Sequence, residues 1–301
     1  MRPAPADADR CPEAGAACGA AAHRAAAPPA LILDLLLAAG GLGAGLFGSL
    51  LGLGGGVLLV PLLTLAFGYS LTSAVGTSLV CVIATSAGAA AHNVRTGRAD
   101  VRLGLILAAG TVVGAFTGGV VAAYLPDRLL AGLFALLMLY TAYSLSRGIA
   151  RGTDAGASSA ERVDPSAPDG ARAPSYRERH RGLAVGASFL AGNVSSLLGV
   201  GGGVISVPLV HLVMRAPLDV AAATSNFMMG MTAAAGAFAY LLRGDVSPSI
   251  AGPVVLGVAA GSFMGARLAP RIKAGWLSAA FLIVVLYVAF EMAMRAIGAP
   301  Q

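Results

Sequence analysis

Three consecutive glycines occur twice in this chain, each time inside an apolar stretch. The stretches read LLGLGGGVLLVPLL at 50–63 and LLGVGGGVISVPLV at 197–210, and they lie 147 positions apart. A helix that begins just after such a triplet has unpaired backbone N–H groups and the positive end of its dipole at its start. Helix starts of this kind bind anions. Two of them at matching places in the chain predict one shared anion site.

Hydroxyl and amide side chains follow each triplet at the same distance. The runs Thr77-Ser78 and Thr224-Ser225-Asn226 begin 23 residues after the first glycine of their triplets. These groups can donate hydrogen bonds to an oxyanion, or they can join helices in a membrane bundle, and the sequence leaves both roles open. The predicted substrate-binding residues are Gly54, Gly55, Gly56, Pro61, Thr77, Ser78, Gly201, Gly202, Gly203, Pro208, Thr224, Ser225 and Asn226.

A few other polar residues could contribute to the same cavity. Asn193, Ser195 and Ser196 directly precede the second triplet, and His211 follows it. A histidine inside a membrane segment is a candidate proton relay. For the other intramembrane candidate, His92, an interfacial position is the simpler interpretation, and neither histidine has a counterpart in the other half of the chain.

The sequence contains no constellation suited to catalysis. We find no cluster of carboxylates, no metal-ligand set and no nucleophile with a histidine and an aspartate, so we expect no enzyme activity, no metal and no cofactor. The GLGGG run lacks the G-x-G-x-x-G spacing and the preceding strand of a dinucleotide site. We therefore expect a binding or transport function.

Composition indicates a membrane protein. Of the 301 residues, 57% are hydrophobic and only 11% are charged, against about 25% charged in soluble domains. The net charge of +6 comes from arginines in loops and tails, a distribution typical of cytoplasmic membrane loops. No basic patch is interleaved with aromatic residues, so nucleic acid is not an expected partner.

The apolar segments predict an all-α polytopic fold. We expect a disordered N-terminal tail at 1–29, a first transmembrane repeat at 30–149, a flexible cytoplasmic linker at 150–178 and a second transmembrane repeat at 179–298. The apolar segments themselves are 31–51, 57–69, 72–94, 101–125, 128–149, 182–200, 204–214, 218–242, 250–268 and 276–297.

The two halves read as homologous repeats, because glycines, a proline and hydroxyl residues recur without a gap at the offset of 147. The short segments 57–69 and 204–214 are typical of Gly-broken half-helices, which favours about eight spanning helices with both termini inside. If all ten segments cross, the halves are inverted and both termini are outside. The cytoplasmic share of Lys and Arg is 15 of 20 in the first case and 14 of 20 in the second, so the positive-inside rule does not separate them.

The two glycine motifs, GLGGGVLLVPLL and GVGGGVISVPLV, each followed by a hydroxyl-bearing apolar segment, resemble the sulfite exporter TauE/SafE family of membrane permeases. The resemblance covers roughly residues 31–297. It implies two four-helix repeats and movement of small sulfur-containing anions such as sulfite or sulfonates, coupled to an ion gradient. The long tail and linker are where this chain is least like the family.

We therefore expect a secondary transporter of a small, sulfur-containing anion in the bacterial inner membrane, with a proton or sodium ion as a possible coupling ion. The alternative is a non-transporting accessory or scaffold protein in which the glycine motifs serve only helix packing.

Overall fold

The computed structural model describes residues 30–50, 55–95, 101–150, 181–203, 205–206, 218–268 and 274–297. The predicted N-terminal tail and almost all of the predicted linker lie outside these residues. Within them the fold is all-helical, without a strand. The helices are α1 (Ala30–Leu50), α2 (Gly56–Pro61), α3 (Leu71–Arg95), α4 (Val101–Ala122), α5 (Asp127–Ala150), α6 (Arg181–Leu198), α7 (Leu218–Leu242), α8 (Pro248–Leu268) and α9 (Ala274–Ile297).

Five of these helices are long and apolar enough to cross a membrane, within α1, α3, α4, α5 and α8. A helix pairs all of its backbone groups internally, as a segment in hydrocarbon must. The lipid-facing sides account for many exposed large apolar side chains, such as Leu36, Leu136 and Ile283. Length and composition therefore agree with the predicted polytopic membrane fold.

The first short segment forms a half-helix. Helix α2 continues as a π-helical turn over Leu62–Ala66, so the helical stretch Gly56–Ala66 has 11 residues. At 1.5 Å per residue it is about 16 Å long, roughly half of the 30 Å hydrocarbon core. Its proline, Pro61, lacks the N–H that would continue the α-helical ladder. The second short segment is described only at its start, at Gly203, Ile205 and Ser206.

Glycines let two pairs of parallel helices approach to backbone contact. A methyl group on Gly261 of α8 would overlap the carbonyl oxygen of Leu42 in α1. At the same offset of 147, a methyl group on Gly114 of α4 would overlap the carbonyl oxygen of Phe189 in α6. Four of the five glycine contacts of α1·α8 have such a counterpart in α4·α6, as Gly257 on Ala38 does in Gly110 on Val185. Each pair therefore joins one helix from each half of the chain.

The directions of the helices do not fit the eight-span arrangement that the sequence analysis favours. That arrangement requires helices related by the offset of 147 to run the same way. Instead α3 and α7 are antiparallel, because Gly76 packs on Tyr240 whereas Gly230 packs on Ser86. Helices α5 and α9 are antiparallel as well, since the first turns of α5 and the last turns of α9 line the same pocket. The directions agree with the inverted alternative.

The physical reason lies at the first glycine break, where the chain reverses. A Cβ built on Gly55 would lie 3.4 Å from the carbonyl oxygen of Ala44 in α1. Further along the chain, Leu62 contacts Gly40, which is nearer the start of α1. Helix α2 therefore runs back along α1, and the chain returns towards the side from which it came. Arginine counts cannot reveal this reversal.

We expect the glycine contacts to be essential for stability. Replacing Gly261 with alanine forces α1 and α8 apart, and overpacking of this kind costs about 1–3 kcal/mol. Gly252 is the matched control, because it lies on the same helix with no atom within 4 Å of an added Cβ. Gly252→Ala should leave the melting temperature in detergent unchanged or slightly raised. Equal melting temperatures for the two variants would contradict the close-packing interpretation.

Candidate functional site

The first glycine break caps α2. Gly55 has φ 75°, a left-handed conformation that side-chain-bearing residues rarely adopt. Its carbonyl oxygen accepts hydrogen bonds from the N–H groups of Leu58 at 3.2 Å and Leu59 at 3.3 Å, which makes the first helical turn. The N–H groups that precede these two have no intrahelical partner by the geometry of a helix start.

The second break has the same construction. Gly202 has φ 97°, and its carbonyl oxygen accepts hydrogen bonds from Ile205 at 3.1 Å and Ser206 at 2.8 Å. Gly199 and Gly201 also have positive φ values, 69° and 74°. The acceptor Gly202 and its two donors lie 147 residues after Gly55, Leu58 and Leu59 of the first break. Both breaks therefore present a helix start preceded by left-handed glycine.

The two breaks contact each other. A Cβ on Gly56 would lie 2.9 Å from the carbonyl oxygen of Gly199, and Gly56 and Gly201 both pack against Val82. The hydroxyl of Ser78 donates to the carbonyl oxygen of Gly199 at 2.6 Å and is 3.2 Å from that of Gly56. Ser78 thereby joins the two breaks, and Val82 places them close to the midpoint of α3 (Leu71–Arg95).

Several buried hydroxyls have no hydrogen-bond partner among the described residues, and that of Ser195 lies beside the second break. The side chains of Thr77, Ser195 and Ser225 are almost completely buried, and their oxygen atoms have no hydrogen-bond partner among the described residues. The oxygens of Ser195 and Ser206 both lie 3.4 Å from a Cβ built on Gly202. A buried hydroxyl without a partner is unfavourable, and it calls for an explanation such as a bound polar ligand or water.

The polar groups are concentrated on the second break. At the offset of 147, Ser195 corresponds to Gly48, and Ser206 corresponds to Leu59. Asn226, which is half-buried, corresponds to the fully buried Leu79. The second break therefore has two hydroxyl groups, those of Ser195 and Ser206, at positions where the first half of the chain has glycine and leucine.

The remaining predicted residues occupy different places. Gly54 and Pro208 lie outside the described residues. Pro61 is buried in α2, and it lines an apolar cavity between α1, α2 and α9. Thr224 is fully buried, with its methyl group against Gly104 of α4. The structure thus brings Gly55, Gly56, Ser78 and the second break together, and it places Thr224 at a helix interface.

The sequence analysis missed one polar cluster beside the second break. The hydroxyl of the fully buried Tyr240 donates to the backbone oxygen of Ser196 at 3.2 Å. The guanidinium of Arg243 lies 4.9 Å from the centre of the Tyr240 ring, pairs with Asp245 and donates to the carbonyl oxygen of Gly119. The signal in the sequence was an arginine, an aspartate and a tyrosine within six residues at a helix end.

Apolar membrane-length helices and a central junction of broken helices define the class: a multi-pass membrane transporter. The model of the family described as sulfite exporter TauE/SafE matches residues 37–292. The chain therefore belongs to the TauE/SafE family, which is a family of membrane transporters and not of enzymes, and this confirms the resemblance of the glycine motifs.

Curated relatives are transporters by name. The chain is 26% identical to the probable membrane transporter protein YunE of Bacillus subtilis over 262 residues, covering 84% of this chain and 94% of YunE. It is 28% identical to a probable membrane transporter protein of Xylella fastidiosa, covering 82% and 90%. The probable membrane transporter protein MJ0441 of Methanocaldococcus jannaschii is 26% identical over 70% of this chain and 73% of its own length. No solved structure matches the chain.

Replacement of Ser78 should loosen the junction. Ser78→Ala leaves the buried carbonyl oxygen of Gly199 without its hydroxyl donor, which costs about 1–3 kcal/mol. Ser73→Ala is the matched control, because Ser73 lies on the same helix with a partly exposed side chain. Chemical denaturation in detergent measures both variants. Indistinguishable unfolding free energies would show that Ser78 does not join the breaks.

Proposed function

We propose that the chain is a secondary transporter of a small anion and that the anion binds where the two glycine breaks meet. The starts of both half-helices supply backbone N–H groups and positive dipole ends. The hydroxyls of Ser195 and Ser206, which both lie beside Gly202, supply further donors. The observation that carries this proposal is the buried Ser195 hydroxyl, which has no partner among the described residues and lies beside Gly202, where the two breaks touch.

The substrate class follows from the donors. Neutral N–H and O–H groups favour an oxyanion with several acceptor oxygens, and no buried arginine is needed to balance its charge. Sulfite, a sulfonate or a related sulfur-containing solute is an oxyanion of this kind. The description of the family as sulfite exporters supports the same substrate class. A counterflow screen in liposomes with sulfite, sulfate, thiosulfate, sulfonates and carboxylates identifies the substrate.

We further propose that the two halves are homologous repeats with inverted orientation in the bacterial inner membrane. The contacts that recur at the offset of 147 and the antiparallel pairs α3·α7 and α5·α9 support this arrangement. In this arrangement α1 and α2 enter the membrane from one side, and α6 and the second half-helix enter from the other. The breaks then meet near the bilayer midplane. Repacking of the helices around the breaks would expose the site to each side in turn. A coupling ion, proton or sodium, would bind in the same region.

Loss of the Ser195 hydroxyl should separate transport from stability. Ser195→Ala removes a donor from the proposed site, and it also removes an unpaired buried hydroxyl, so stability should stay the same or rise. We expect anion flux in proteoliposomes to fall about tenfold, the effect of one lost hydrogen bond to a charged group. Ser262→Ala on α8, whose hydroxyl bonds its own helix, is the control. Unchanged flux in Ser195→Ala would remove this hydroxyl from the site, and an unmodified protein that moves no anion would favour the accessory or scaffold alternative.

Gly202 should be required for flux because a side chain there is strained and meets Ser195 and Ser206. We expect Gly202→Ala to abolish transport in folded protein. The matched control is Gly244→Ala, because Gly244 has a similar positive φ of 74° with no atom within 4 Å of an added Cβ. If both variants lose flux to the same extent, backbone strain alone explains the loss.

The membrane orientation can be tested with fusions. In the inverted arrangement the C-terminus is outside and the central linker inside, because the arginine-rich linker favours the cytoplasm. A phosphatase fused after Gln301 should therefore be active, and a fluorescent protein inserted near residue 165 should fluoresce. An inactive C-terminal phosphatase would support the eight-span arrangement with both termini inside.

A further inference from the structure

An apolar groove and a charged pocket adjoin on the membrane-facing side of the half-helix. The groove has a volume of about 540 Å³ and lies between α1, α2 with its π-helical turn, and α9, where Phe47, Leu62 and Val284 are among its lining residues. The charged pocket has a volume of about 190 Å³ and is lined by Tyr69, Asp127, Arg128 and Arg295, among others. Neither takes part in the proposed anion site.

The two spaces follow one another along the same elements. The groove contacts α9 from Phe281 to Val288, and the charged pocket contacts it at Met292 and Arg295. At 1.5 Å per residue, the apolar part covers about 10 Å and Arg295 lies about 10 Å beyond it. This spacing matches a single leaflet, in which about 15 Å of hydrocarbon ends at a polar headgroup layer.

The charges of the pocket are mixed. Asp127 and Arg128 begin α5, and Arg295 reaches from α9 to the carbonyl oxygen of Thr64 at 3.3 Å. Two guanidinium groups suit a phosphate, and a carboxylate suits an ammonium group. Tyr69 also lines this pocket, and its phenol, which is protonated at neutral pH, can donate to a phosphate oxygen.

We propose that the groove and the charged pocket hold one phosphatidylethanolamine molecule from the bilayer. One acyl chain lies in the groove, the phosphate contacts Arg128 and Arg295, and the ammonium group contacts Asp127. An ethanolamine headgroup carries both charges that the pocket complements. Phosphatidylcholine has the same phosphate but no N–H donor, and phosphatidylglycerol has no ammonium group.

Fluorescence quenching by brominated lipids tests this proposal in the full chain. The chain has one tryptophan, Trp276, which lies 19 residues before Arg295 on α9 and about 28 Å from it. The reporter variant combines Trp276→Phe with Leu65→Trp, which places a tryptophan in the groove. If that variant does not fold, Val284→Trp replaces Leu65→Trp. The unmodified chain, with Trp276 alone, is the control for a tryptophan outside the groove lining.

In the reporter variant, we expect brominated phosphatidylethanolamine to bind about fivefold more tightly than brominated phosphatidylcholine, the fold-change expected for one charged contact near the membrane surface. The unmodified chain should not distinguish the two lipids. Asp127→Asn should abolish the preference for phosphatidylethanolamine, whereas Arg128→Gln should weaken the binding of both lipids. Equal binding of the two lipids in the groove, a preference that survives Asp127→Asn, or tighter binding of phosphatidylglycerol would overturn the proposal.

Discussion

The need to pair every backbone polar group in a medium without water constrains this molecule most. Two helices are broken by glycine close to the midpoint of α3, where exposed N–H and C=O groups are costly. The structure satisfies part of this demand by placing the breaks against each other, with the Ser78 hydroxyl donating to Gly199 and lying within 3.2 Å of Gly56. The groups that remain are the N–H groups at the helix starts and a few buried hydroxyls. They are the natural ligands of the proposed substrate.

Helix packing brings the breaks to this point. Parallel glycine contacts join α1 to α8 and α4 to α6, so the helix that leads into each break is held by the other half of the chain. The two halves are therefore interlocked around the breaks. At its far end, the first half-helix is held by Arg295, which donates to the carbonyl oxygen of Thr64. The half-helix is thus fixed at one end and packed on the other break at its start.

Much of this architecture follows from the sequence, and some does not. The apolar segments predict most helix bounds within two residues, with 218–242 reproduced as Leu218–Leu242, whereas the predicted 101–125 ends at Ala122 and the predicted 57–69 is helical only to Ala66. The paired triplets predict that the breaks meet, because a glycine break in lipid must be buried or line a cavity. The direction of the helices could not be derived, since it depends on a reversal at Gly55 that leaves no charge signature. The contribution of Tyr240 and Arg243 depends on α7 packing beside Ser196 and Gly119, a contact between distant positions that spacing does not encode.

The central claim is that two helix starts form one anion site, so the amides of both should respond to the same ligand. Hydrogen–deuterium exchange with mass spectrometry, with and without the anion selected by counterflow, measures this response directly. The account predicts slower exchange in peptides covering residues 55–59 and 202–206 together, with little change in peptides covering α5. Slower exchange at only one break, or at neither while the anion binds elsewhere, would contradict it.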